Sequence, residues 1–524
     1  MKKKWLLPLF TAAAVACVSL VGCAKPNKNT VEQNGKKVFP VSTYEDTLPK
    51  YMGDVMPFYD DGVMNIYHLQ DTTGSNSIFY HPIARITTSD YVNYTDCGVS
   101  LGFDDADEGS EFYHPEATKS PDAALGTGSV IKDTQGNYHF FYTGHNDNGQ
   151  EEGLKYNEVI RHAKSYDNQK TWVKDRDDEN KDYELNLYGY ENDFRDPYVY
   201  YDGEDEKYYM LVTTRDYGRG VIKRYSATDL DARTEEWKDE GVFFANDDGD
   251  YNMECPSYVE WNGFYYLAYS EQGANRVTHY RYRTERDGEW KRFELDSIDN
   301  SGFYAGRLEK AGDELYAFAW CARLSGGSVG GFDWGGNLVV HKMVQLENGE
   351  LRAVMTDGVK NAFNTQVKYR FGGVNDECKE VSFSGGEFSS RCLEKLGRHV
   401  TRMSFTVSCG DGSGDFGITF ALDGVYNNRL GSSLIAFDVK NNKLVCYNNV
   451  SSILRYGSPL ASVPFKFEAD KDYRVNIIVD SEVLTVYLDD AVALTVRLAG
   501  IHRKNFAFYS NGSKAQFKEI AFYE

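Results

Sequence analysis

Residues 253–269 read Met253-Glu254-Cys255-Pro256-Ser257-Tyr258-Val259-Glu260-Trp261-Asn262-Gly263-Phe264-Tyr265-Tyr266-Leu267-Ala268-Tyr269. An acid and a proline stand ahead of an aromatic-rich run, and Asn262-Gly263 divides the stretch into two strand-like halves. Asn-Gly between apolar and aromatic residues is a strong hairpin signal, because both tolerate the positive φ that a tight turn needs. The plan recurs four more times: Phe58 to Gly62 before Met64 to Leu69, and Lys132 to Gly136 before Tyr138 to Tyr142. Tyr200 to Gly203 before Lys207 to Val212, and Lys310 to Gly312 before Glu314 to Trp320, complete the set. The turn glycines Gly62, Gly136, Gly203, Gly263 and Gly312 lie about 50–75 residues apart, room for a four-stranded sheet and its loops.

Further strand candidates, Ile160 to Ser165, Val221 to Ser226 and Thr278 to Arg283, fall between the hairpins. Five consecutive sheets predict a five-bladed β-propeller over residues 45–356, since radial packing protects edges that separate sheets would expose. A sandwich with long insertions is the alternative. From Asp357 the pattern changes to closely spaced strands, Thr401 to Val407, Phe416 to Leu422, Ser433 to Asp438, Lys443 to Tyr447, Tyr473 to Val479, Val483 to Leu488, Ala491 to Arg497 and Phe506 to Tyr509. Asn441-Asn442 and Asp489-Asp490 read as hairpin tips, and residues 357–524 as a C-terminal β-sandwich. The expected class is therefore all-β, a five-bladed propeller followed by a sandwich.

The composition agrees. Thirty-nine Tyr, 30 Phe and 48 Gly in 524 residues favour short strands and tight turns. A formal net charge of −22 disfavours nucleic acid as a partner and is compatible with a neutral sugar.

The start of the chain carries a location signal. Lys2, Lys3 and Lys4 precede the apolar run Trp5 to Val21, and Leu20-Val21-Gly22-Cys23 resembles the lipobox of bacterial lipoproteins. The resemblance implies a signal peptide at residues 1–22, lipidation of Cys23, a tether over 23–44, and an extracytoplasmic protein anchored to the cell membrane. The remaining seven cysteines are scattered without CxxC spacing, so no zinc site or disulfide framework can be read from them, and buried free thiols are expected apart from a bridge left open in the C-terminal part.

Acids recur at one place in the repeat. Asp54, Asp196 and Glu254 lie seven to nine residues ahead of their turn glycines, where the second and fifth repeats hold Gly128 and Tyr304. Inner strands of a propeller line its channel, so three carboxylates are expected to face one another at its mouth. Facing carboxylates raise one another's pKa, and glycoside hydrolysis uses a proton-donating carboxyl with a carboxylate partner.

With those residues identified, the chain resembles glycoside hydrolase family 32, the invertases, levanases and inulinases. Glu254-Cys255-Pro256 matches the family's ECP motif and Arg195-Asp196-Pro197 its RDP motif. Gly126 to Val130, Phe141 to Gly144, Ser301 to Ala305 and His81 to Asp90 approach further family motifs. The resemblance implies Asp54 as nucleophile, Glu254 as acid/base and Asp196 as transition-state stabiliser, acting with retention on fructans or sucrose-type oligosaccharides. The family's WMNDPNG reads Tyr51-Met52-Gly53-Asp54-Val55-Met56-Pro57 here, so both neighbours of the nucleophile position differ. Arg195, His81, Tyr304 and Trp334 are the expected substrate-binding residues, with Trp320, Tyr113 and His145 as further pocket candidates; His68 and His139 read as core histidines. No metal or cofactor is indicated. Two other readings stand beside this one: an inverting arabinofuranosidase or xylosidase on the same fold, and a non-catalytic lipoprotein that captures glycans.

Overall fold

The computed structural model describes residues 31–524 apart from 33–34, 43–49, 72–80, 111, 150, 152, 176–184, 186–192, 246–250, 274–275, 325–331, 398–399 and 411–412. The expected signal peptide, Cys23 and most of the tether lie outside the described residues. No helix among the described residues is long and apolar enough to cross a membrane.

Five antiparallel blades form the propeller, and a pairing of Met52 with Gly336 joins the first and fifth into one sheet. Blade one is Tyr51–Asp60, Val63–Asp71, Ile83–Thr88 and Thr95–Leu101; blade two is Ala124–Lys132, Tyr138–His145, Glu158–Ser165 and Val173–Lys174. Blade three is Arg195–Asp202, Lys207–Asp216, Arg219–Ala227 and Lys238–Ala245. Blade four is Met253–Trp261, Phe264–Glu271 and Thr278–Arg283, edged by isolated bridges at Lys291 and Ser297. Blade five is Tyr304–Ala311, Glu314–Leu324, Phe332–Gln345 and Leu351–Val354. All five hairpins read from the sequence are present. Asp61-Gly62 and Asn262-Gly263 both carry positive φ at the two turn residues, the twist-matched hairpin geometry.

Every inner strand is bulged at one level, opposite Leu69, Gly144, Thr213, Ser270 and Trp320. A bulge inserts an extra residue, re-aims side chains and leaves an N–H without its ladder partner. Neighbouring blades supply substitutes: the Asp196 N–H donates to Thr143 Oγ1 at 3.0 Å, and the Gly306 N–H to Ser270 Oγ at 3.1 Å. These bonds fix the blades' angular order where their inner ends meet.

The sandwich follows the single α-helix among the described residues, Asp357–Ala362, capped by Thr356. Its two sheets hold seven and six strands around a phenylalanine-rich core that includes Phe405, Phe508 and Phe517. All seven described cysteines are free, so the bridge left open for the C-terminal part is not formed. Propeller and sandwich share a buried seam. Asp299 accepts from Thr495 N at 3.0 Å and Thr495 Oγ1 at 2.6 Å, and lies 3.0 Å from His341 Nε2. Part of the expected tether is packed against this frame instead of extending from it. Val38 and Phe39 are buried, Val38 N donates to Asp480 Oδ2 at 3.1 Å, and Leu338 N donates to Pro40 O at 3.0 Å. Two apolar side chains in Val38-Phe39 give that segment enough to bury against both domains.

Candidate active site

The bulges assign the acids to two adjacent levels, which corrects the single repeated position expected from counting back from the turns. The last paired residue before each bulge is Gly53, Leu125, Arg195, Glu254 and Tyr304 in blades one to five. The next residue is Asp54, Gly126, Asp196, Cys255 and Ala305, and four of these five hold positive φ: 36° at Asp54, 58° at Asp196, 54° at Cys255 and 53° at Ala305. Asp54 and Asp196 therefore share a level, while Glu254 stands one residue earlier, in line with Arg195 and Tyr304. Turn lengths differ between blades, so the spacing to the turn glycine drifts by a residue.

This arrangement explains the contacts. Arg195 and Tyr304 flank Glu254 from the neighbouring blades at its own level: the Arg195 guanidinium donates to Glu254 Oε1 at 3.0 Å and the Tyr304 hydroxyl to Oε2 at 2.5 Å. Both oxygens of Glu254 are thereby oriented. Burial and the Glu254 charge push the Tyr304 hydroxyl far above its usual range, which keeps it a donor. Arg195 also pairs with Asp193 at 2.8 Å and Glu158 at 3.2 Å. Burial alone would raise Glu158, but Arg195 and His145 hold it down at about 2, a fixed anion behind the guanidinium.

One level on, Asp54 accepts from Trp320 Nε1 at 3.1 Å and from Thr127 Oγ1 at 3.1 Å, and Asp196 accepts from the Cys255 N–H at 2.9 Å. Burial, then the charges of Asp196 and Glu254, raise Asp54 to about 7. Burial also raises Asp196, with Arg195 opposing and Glu254 adding to the shift. Asp54 thus feels the charges of Asp196 and Glu254, and Asp196 that of Glu254, across the channel mouth. The Cys255 thiol is pushed well above its usual range by burial and by Asp196, so it is an inert packing group.

Trp334 explains the departure at Gly53. A Cβ built on Gly53 would stand 2.1 Å from the indole, so the ring occupies the space a residue-53 side chain would fill. The same indole stacks on His81 with centroids 4.1 Å apart and lies 5.9 Å from Trp320. A glycine at 53 and a tryptophan at 334 are one steric solution.

Comparison with known proteins gives a family. Residues 84–355 match the model for the glycosyl hydrolases family 32 N-terminal domain, and residues 351–518 the one described as GH32, BT1760-like, C-terminal domain. The chain belongs to glycosyl hydrolase family 32. The N-terminal family match begins after the Asp54 strand, where the sequence departs from WMNDPNG. A curated relative, sucrose-6-phosphate hydrolase of Staphylococcus xylosus, is 31% identical over 123 residues, spanning 23% of this chain and only 21% of that protein. Among solved structures, those similar in fold include sucrose-6-phosphate hydrolase of Lactobacillus gasseri, at TM-score 0.66 and 17% identity over 94% of this chain and 92% of that one. Fructan 1-exohydrolase IIa of Cichorium intybus matches at TM-score 0.65 and 13% identity, covering 93% and 98%.

Of the residues singled out in the sequence, Asp54, Asp196, Glu254, Arg195, Tyr304, Trp320, Trp334 and His81 are brought together at this mouth. His145 stands one step back, 3.5 Å from Glu158. Tyr113 is exposed and, among the described contacts, reaches none of the three acids. His68 is a buried core histidine, as expected. Thr127, Glu158 and Asp193 were not singled out. Thr127 lay inside the Gly126 to Val130 motif, one residue from the place that counting reached, whereas Glu158 and Asp193 carry no signal that separates them from the chain's other acids.

Proposed function

We propose that this family 32 member is a β-fructosidase that hydrolyses fructans or sucrose-type oligosaccharides with retention, using Asp54 as nucleophile, Glu254 as acid/base and Asp196 as stabiliser. The observation that carries the reading is the convergence of three differently partnered carboxyls on one channel mouth. Glu254 gives its proton to the glycosidic oxygen as that bond breaks, while Asp54 attacks the anomeric carbon and forms a fructosyl ester. Glu254, now a carboxylate, takes a proton from water; the resulting hydroxide attacks the same carbon and releases Asp54. Two inversions give net retention. Asp196, held by the Cys255 N–H, is placed to accept hydrogen bonds from sugar hydroxyls, which strengthen as charge develops on the ring. Arg195 and Tyr304 fix the angle of Glu254 and stabilise its charge between the two steps.

The names of the relatives support a fructose-containing substrate, and the Cichorium intybus enzyme has been solved with 1-kestose. The Lys-rich start, apolar run and Cys23 support a lipid-anchored protein outside the cytoplasm. Product analysis against levan, inulin, sucrose and arabinan tests the substrate: release of fructose by the wild type, and none by Asp54→Asn or Glu254→Gln, is expected. Arabinose release without fructose would overturn it.

A further inference from the structure

Blades two and three meet at a second cluster, at the turn end of the strands and away from the three acids. His139, beside the blade-two turn, and His162, on the next strand, lie on one face of the sheet with His139 Nδ1 and His162 Nε2 only 2.9 Å apart. Asp231, from the loop between the third and fourth strands of blade three, brings Oδ1 to 3.8 Å from His139 Nδ1. The three ligating atoms all lie within 4.8 Å of one another.

Each ring's other nitrogen faces a carboxylate. His162 Nδ1 lies 2.9 Å from Asp175 Oδ2, and His139 Nε2 lies 3.4 Å from Asp133 Oδ2, which Asn137 also holds at 3.0 Å. A neutral imidazole has one N–H, and a carboxylate can only accept it. When both rings satisfy their carboxylates, the two nitrogens that face each other both present lone pairs. Turning either proton inward leaves a carboxylate against a lone pair instead. A cation between the two facing nitrogens removes the conflict.

We infer that His139, His162 and Asp231 form a binding site for one divalent transition-metal cation of the zinc type, clamping blade two to blade three. Two neutral imidazoles and a carboxylate suit zinc, nickel or copper rather than calcium or magnesium. The outer Asp133 and Asp175 are the carboxylates that orient metal-bound histidines and fix their tautomers. Tetrahedral coordination places ligand nitrogens roughly 3.3 Å apart. The rings therefore open by a few tenths of an ångström, Asp231 swings inward, and water completes the shell. Lys164 Nζ, 2.7 Å from Asp231 Oδ1 and 3.9 Å from Asp175, is the positive charge that metal binding displaces. Arg233 stands 3.6 Å from the other oxygen of Asp175. The inference is independent of the glycosidase reading.

The test is metal binding by the full chain after stripping with a chelator, read by elemental analysis, competition with a zinc-sensitive dye, and thermal melting. The expected result is one zinc per chain and a midpoint raised by a few degrees in excess zinc, as mass action requires of a ligand that binds only the folded state. Asp231 is exposed, so Asp231→Asn folds; it is expected to bind at least tenfold more weakly. His139→Gln, checked for folding by circular dichroism, is expected to lose binding and the melting shift. Cobalt in place of zinc is expected to give the visible bands of a tetrahedral nitrogen and oxygen site. No zinc uptake by the wild type, or equal uptake by all three chains, would overturn the site.

Discussion

Replacing Asp54 by asparagine is expected to abolish activity and stabilise the fold at the same time. Burial and two neighbouring anions raise the Asp54 carboxyl from 3.8 to about 7, so ionising it is harder in the folded chain than in the unfolded one. A folded pKa above the unfolded value gives a contribution that is full below pH 3.8 and is lost as pH rises through about 7. At 1.36 kcal/mol per unit, a shift of about three units corresponds to about 4 kcal/mol. The carboxyl is partly open to the channel mouth, and water there screens the charge, so about 2 kcal/mol is the expected gain above pH 7. Asparagine suits the site: it tolerates the φ of 36°, keeps an acceptor for Trp320 Nε1, and can donate its amide to Thr127 Oγ1. Thermal melts of wild type and Asp54→Asn at pH 4, 6 and 8 measure this. Midpoints that coincide at pH 4 and separate in the variant's favour at pH 8 are expected; a variant that melts at or below the wild type at pH 8 refutes the electrostatic account.

Four further outcomes follow from the same geometry. If Asp54 attacks as a carboxylate, as proposed, kcat/KM falls on the acid side with a midpoint near pH 7, and a limb centred below about pH 5 would contradict the raised pKa. Arg195→Lys keeps the charge but loses the fork that spans Glu158, Asp193 and Glu254, so kcat is expected to fall about 100-fold with little change in KM. Gly53→Asn drives a side chain into the Trp334 indole and is expected to lower kcat/KM at least tenfold, as misplaced positioning groups do; adding Trp334→Gly should recover part of that, and purely additive losses would refute the steric coupling. Burial raises Glu309, whose carboxylate accepts from Tyr59 N at 3.0 Å, to about 8; its contribution is lost as pH rises through that value, so Glu309→Gln should melt higher than wild type at pH 9 but not at pH 5.

The sequence made the blades legible because each hairpin combines two local signals, a turn residue that accepts positive φ and an aromatic-rich strand that returns from it. Gly62 and Gly263 carry that φ themselves, whereas in blade three it falls on Glu206 rather than Gly203, and the hairpin forms all the same. Sandwich strands such as Ser433–Asp438 and Val483–Leu488 were readable because short polar turns, Asn441-Asn442 and Asp489-Asp490, follow them closely. Lys514–Tyr523 was not, because Lys518 and Glu519 interrupt its alternation. At the site, Asp54, Asp196 and Glu254 could be found from spacing, but not their two levels. A bulge changes register without leaving a fixed residue type, so counting from turns cannot separate Glu254 from the level of Asp54 and Asp196. The Gly53 departure was visible as a difference; its cause was not, because Trp334 lies far along the chain and meets Gly53 only when blade five closes against blade one.

The most direct test of the central claim is the stereochemistry of transfer. Wild-type protein incubated with sucrose or levan in the presence of methanol, followed by carbon NMR, reports the anomer trapped when methanol replaces water in the second step. Methyl β-fructofuranoside, absent with Asp54→Asn, is the predicted product. The α anomer, or no fructosyl transfer or hydrolysis from any fructoside, would contradict the account.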